Sequence, residues 1–124
     1  IFIHGTRVMS RRAEVLLWGA QRASAAVLAL CVAVHLVTMI YAVRSGLTAA
    51  EILGRTQGNI GWLVFYAVFV AAVAVHAPIG LRTILAETCN WRSRGLDVLA
   101  GAAALTLLMW GMRAVIAVFG GGAA

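Results

Sequence analysis

Two histidines, His35 and His76, stand inside long apolar stretches of the chain, where a polar side chain must be either paired or functional. A charged group near the centre of a bilayer costs roughly 2.5–3.5 kcal/mol on insertion scales. A neutral imidazole costs less and is also a good ligand for iron. Two readings are therefore open: an axial ligand to a haem, or a histidine hydrogen-bonded to a neighbouring helix. The presence of two such residues favours the cofactor.

Residues three and four apart share a helix face. Around His35 that face carries Gln21, Ser24, Leu28, Cys31, Thr38 and Met39, a weakly polar stripe that should point into a bundle. Around His76 it carries Trp62, Phe65, Phe69, Ala72, Gly80 and Thr83. An aromatic row with a glycine one turn from the histidine could hold a flat porphyrin, and it could equally be ordinary bundle packing. Pro78 frees the carbonyl of Ala74 and should kink the helix next to His76. Arg113 could meet a haem propionate through charge-assisted hydrogen bonds or snorkel to the outer headgroups. The Ala25, Ala29 and Ala33 series gives an edge for close helix packing. His4 precedes the apolar stretches and reads as a solvated surface histidine.

These residues need helices to hold them, and the composition says which kind. The chain is 63% hydrophobic and 11% charged, whereas a soluble domain carries about 25% charged residues. The apolar residues fall in blocks near the ~20 residues that cross a bilayer. The sequence predicts an all-α integral membrane bundle of three transmembrane helices over 22–43, 60–86 and 96–119, forming a single domain. Arg44 to Gly46 stop the first, a polar run from Gly54 to Gly58 enters the second, and Gly120 to Gly122 end the third. Residues 7–21 mix Arg11, Arg12 and Glu14 with Leu16, Leu17 and Trp18, as expected of a short interfacial helix. The first apolar block comes late, and no cleavable signal peptide is read.

The net charge of +6 comes wholly from arginine. Arg7, Arg11, Arg12, Arg22, Arg82, Arg92 and Arg94 fall on the side of the N-terminus and the second loop, and Arg44, Arg55 and Arg113 on the other. That asymmetry puts the N-terminus in the cytoplasm and argues for topology, not nucleic-acid binding. The two cysteines, Cys31 and Cys89, are too few for a disulfide framework and read as thiols. Depth separates the histidines: His35 is thirteen positions from Arg22 and His76 six from Arg82, or ~20 Å against ~9 Å from the inner surface. If both bind haem, the simplest arrangement is two haems, each taking its second ligand from another chain or another copy of this one.

The run His76-Ala77-Pro78-Ile79-Gly80-Leu81-Arg82, with Glu87 beyond it, resembles the second-helix pattern of the cytochrome b membrane-anchor subunits of succinate dehydrogenase and fumarate reductase. Gln21-Arg22-Ala23-Ser24-Ala25 is similar to that family's His-Arg-x-Ser-Gly at the start of the first helix, with Gln21 in place of His and Ala25 in place of Gly. The resemblance implies that His76 is an axial haem b ligand and that Arg22 and Ser24, with Gln21 beside them, lie by a quinone site. His35 resembles the first-helix ligand of two-haem members, and Arg82 and Arg113 become candidate haem-site residues.

What the resemblance implies for function is an electron-transfer subunit of the inner, cytoplasmic membrane. It would carry one or two haems b shared with a second anchor or another copy of this chain. Flavoprotein and iron–sulfur subunits would dock on the cytoplasmic side, with Arg82, Arg92 and Arg94 helping to hold the latter, and electrons would pass to or from a membrane quinone as in the tricarboxylic acid cycle. No residue here would carry the dicarboxylate chemistry. A cytochrome b subunit of a formate dehydrogenase or hydrogenase type would share the haem logic but not the first-helix motif. A small transporter normally needs an intramembrane carboxylate, and Glu14, Glu51, Glu87 and Asp97 all fall at or outside the span ends.

Overall fold

The computed structural model describes residues 10–121, so the readings placed on His4 and Arg7 lie outside the described residues. Four helices follow one another: α1 (Arg11–Ser45), α2 (Ala49–Thr56), α3 (Ile60–Thr88) and α4 (Arg94–Phe119). The first, third and fourth are long and apolar enough to cross a membrane.

Ser10 caps α1, its hydroxyl accepting from the Ala13 amide at 3.2 Å. The helix then runs for 35 residues without a break, ~52 Å at 1.5 Å per residue, against ~30 Å of hydrocarbon. From Arg11 onward the segment expected to form its own interfacial helix is the first turns of α1. Gly19 alone, with no proline or cap beside it, does not end a helix whose other residues are good helix formers.

The polar connection after α1 folds into a short helix of its own. Thr48 and Glu51 form a reciprocal capping box: the Glu51 amide donates to Thr48 Oγ1 at 3.2 Å and the Thr48 amide to Glu51 Oε2 at 3.1 Å. Arg55 donates to the carbonyl of Gly46 at 3.1 Å, which folds α2 back on the end of α1. Thr56 Oγ1 reaches the Val118 carbonyl at 3.1 Å and the Gly58 amide reaches that of Phe119 at 2.9 Å. These two bonds tie the connection to the last turn of α4.

Asn59 caps α3 through Oδ1, which accepts from the Trp62 amide at 3.2 Å. α3 continues through the buried Pro78 to Thr88. Asn90 then takes a left-handed conformation, φ 51°, which asparagine tolerates better than most residues. The chain turns there into α4.

α3 lies between α1 and α4 and packs against both. The buried residues are small or slender: Ser24, Cys31, Ala42, Ala72, Ala74, Pro78, Leu96 and Val115. Large apolar side chains such as Leu30, Val37, Met109 and Trp110 face outward. This distribution is inverted relative to a soluble protein and suits a lipid surround, where small residues let helices approach and large ones meet acyl chains.

Candidate functional site

The two histidines both sit on the seam between α1 and α3 at different heights, His76 toward the end of the bundle that holds the start of α1, called the inner end, and His35 toward the end that holds α2, called the outer end. His76 faces Ser24, with Nδ1 3.3 Å from the serine oxygen. His35 faces Tyr66, whose hydroxyl is 3.5 Å from the imidazole Nδ1. Ser24 and His35 are both on α1 and about three turns, ~16 Å, apart along it. One iron could not take both histidines across that rise.

At the inner position Ser24 is buried, and its hydroxyl lies 3.0 Å from the backbone carbonyl of Gln21, one turn back on the same helix. The Gln21 side chain crosses to α3, and a Cβ on Gly80 would sit 3.2 Å from its Nε2. Glutamine therefore fills the notch over Gly80 that a porphyrin face could otherwise have used. Its Oε1 is buried and has no hydrogen-bond partner among the described residues. Beside it a cavity of about 340 Å³ opens between Glu14 and Trp18 of α1 and Arg82 and Thr83 of α3. Arg82 donates from Nε to Asp97 Oδ1 at 2.9 Å, which joins α3 to the start of α4 below this cavity.

Arg22 turns the other way. Its guanidinium lies over the ring of Trp18, 5.1 Å from the centroid, a cation–π distance. Of the three residues expected near a quinone, Gln21 lines the inner cavity, Arg22 reaches it only through Trp18, and Ser24 lies on the histidine side. Arg113, in the outer half of α4, stacks over Trp110 at 5.4 Å.

At the outer position the expected aromatic row packs on itself and on His35 instead of on His76. Trp62, Phe65 and Tyr66 form one cluster, with Trp62 and Tyr66 stacked at 5.7 Å and 26°. Phe69 and Tyr66 meet the His35 ring edge-on, at 5.8 and 6.0 Å. An apolar cavity of about 360 Å³ lies alongside, bounded by His35, Thr56, Tyr66, Val70, Gly111 and Val115.

A haem suits His76 on the chemistry of its donor atoms. Nδ1 lies 3.3 Å from Ser24 Oγ, which leaves Nε2 as the nitrogen that an iron would take, and imidazole ligands normally have their second nitrogen held by a hydrogen bond. Among the described residues no group of three or more His, Cys, Asp or Glu side chains could hold a bare metal ion. Tyr66, Glu14 and Asp97 complete the two positions and were not singled out from sequence as site residues. The signal for Tyr66 was available, since it stands one turn from Trp62 and Phe69 on an otherwise aliphatic helix.

A family model described as the succinate dehydrogenase/fumarate reductase transmembrane subunit matches residues 4–109. No curated protein and no solved structure matches the chain.

Proposed function

Given that the chain belongs to the succinate dehydrogenase/fumarate reductase transmembrane-subunit family, we propose that it is the haem b anchor of a succinate:quinone oxidoreductase, passing electrons between an iron–sulfur subunit and membrane quinone. The observation that carries this reading is the placement of His76 and the cavity beside Gln21 and Arg82 in the same inner stretch of the α1–α3 seam. A ligand for iron and a hollow for a quinone head-group thereby share one end of the bundle, and electrons need only a short path between them.

His76 would hold the haem through Nε2, and the haem supplies one-electron chemistry when bound. Gln21 lines the cavity, and its buried Oε1, without a hydrogen-bond partner among the described residues, would accept from a quinol hydroxyl once the amide turns toward it, while Arg82 brings a cation to the same cavity. Arg22 supports Trp18, which forms the cavity wall. The second axial ligand would come from a second anchor subunit or another copy of this chain, because α3 carries one histidine and His35 lies too far along α1. His35 would serve a second haem near the outer face, with Arg113 close to its propionates. The arginine distribution supports a cytoplasmic N-terminus in the inner membrane, with the flavoprotein and iron–sulfur subunits on that side against Arg92 and Arg94.

A reduced-minus-oxidised optical spectrum of the purified complex, with haem quantified per copy of this chain, tests the reading. A b-type spectrum that disappears at the inner site in His76→Ala is expected. With another copy of this chain as the partner, one haem per chain assigns ligand roles to both histidines and half a haem assigns the role to His76 alone; with a distinct second anchor the same outcomes are two haems and one, and no haem overturns the proposal.

A further inference from the structure

The geometry points to Ser24 as a positioning residue for the haem ligand, not a quinone contact: it accepts the Nδ1–H of His76 and so presents Nε2 to the iron. The inference rests on the reading of His76 as that ligand.

A serine hydroxyl has one hydrogen to give and two lone pairs with which to accept. Among the described residues Ser24 Oγ has two hydrogen-bond neighbours, the Gln21 carbonyl oxygen at 3.0 Å and His76 Nδ1 at 3.3 Å. The carbonyl can only accept, so a hydrogen bond to it uses the one hydroxyl hydrogen. Nδ1 must then be the donor. The imidazole is thereby held with its proton on Nδ1 and its lone pair on Nε2. If the hydroxyl hydrogen pointed to His76 instead, the proton would sit on Nε2 and block the iron, and two acceptors would face one another across the serine.

Ser24 is 7% exposed, so water does not compete for these bonds, and in a medium of low dielectric an unmade one is costly. Ser24 does not line the inner cavity, whose α1 wall is Glu14, Leu17, Trp18 and Gln21. The relay runs from His76 through Ser24 to the Gln21 backbone, while the Gln21 side chain faces the cavity. It fixes the ring's rotation about its bond to α3. It also draws electron density toward Nε2, which favours the ferric state of a bound haem.

The test uses the assembled complex with Ser24→Ala, Ser24→Thr and His76→Ala, read by haem content per chain, potentiometric titration of the optical spectrum and low-spin ferric EPR. His76→Ala is expected to lose the inner haem. Ser24→Ala should keep it but shift its reduction equilibrium toward the ferrous state by about three- to tenfold, tenfold being 59 mV for a one-electron couple, with a moved EPR signal. Ser24→Thr, which keeps the hydroxyl, should restore both. A wild-type midpoint and EPR signal in Ser24→Ala would overturn the relay while leaving His76 as ligand. Equal shifts or losses in the Ala and Thr variants would assign the effect to packing and overturn it as well. Retention of the inner haem in His76→Ala would overturn the underlying reading instead.

Discussion

Gly111 of α4 lies so close under Val70 of α3 that a Cβ built on the glycine would stand 2.5 Å from Val70 Cγ1. Valine cannot swing clear, because its rotamer in a helix is restricted. Gly111→Ala should therefore destabilise the α3–α4 pair by about 1–3 kcal/mol. Val70→Ala in the same chain should recover most of that loss. Thermal unfolding of the three variants in detergent measures both effects, and additive losses in the double variant would refute the close contact.

The hydroxyl of Thr56 is shared between the Ile52 and Val118 carbonyls. Thr56→Val keeps the shape and removes the donor, at an expected cost of about 1 kcal/mol. The local signature should be faster amide hydrogen exchange at Gly58, whose bond to Phe119 depends on the same register. Unchanged exchange there would mean that the two bonds are independent.

Cys89 is exposed at the end of α3, whereas Cys31 is buried in α1. The proposed cytoplasmic N-terminus would put Cys89 in the cytoplasm as well. In cells expressing the chain without its soluble partner subunits, a membrane-impermeant maleimide should label Cys89 only after permeabilisation and should leave Cys31 unmodified. Labelling of intact cells that is lost in Cys89→Ser would reverse the topology.

The Arg82–Asp97 pair is partly open to solvent, with side chains 22% and 35% exposed. Screening limits such a pair to about 0–1 kcal/mol, so Arg82→Gln should lower stability by no more than that in the isolated chain. A loss of ~3 kcal/mol or more, typical of a charge left unpaired in a buried site, would show that the pair is shielded. A detergent melt of wild type and variant separates the two.

The three membrane spans could be read directly, because an apolar run of bilayer length has few alternatives. His76 could be singled out as a candidate, since its motif is local and a histidine at depth needs a reason. The partners of these residues could not. That Ser24 meets His76 while Arg22 leans on Trp18 depends on the rotation of α1 against α3, which weak polar stripes on both helices leave undetermined. The aromatic row was visible as a row, but which histidine it surrounds depends on the antiparallel pairing, which brings Phe69 beside His35. α2 is short and interrupted by Gly54, so its composition resembles a polar loop, although Thr48-Ala49-Ala50-Glu51 carries a capping-box pattern.

The bonds from Thr56 and Gly58 to the last turn of α4 bear on how the chain is made. A helix end leaves carbonyls without partners, and in a bilayer these are costly to leave bare. Synthesis runs from the N-terminus, so the connection between the first two spans has left the ribosome well before Val118 and Phe119 emerge. The third span thus enters the membrane after the donors that its last turn meets. Those two hydrogen bonds could then set its height, which would make the order of translation one of the factors that select the native register.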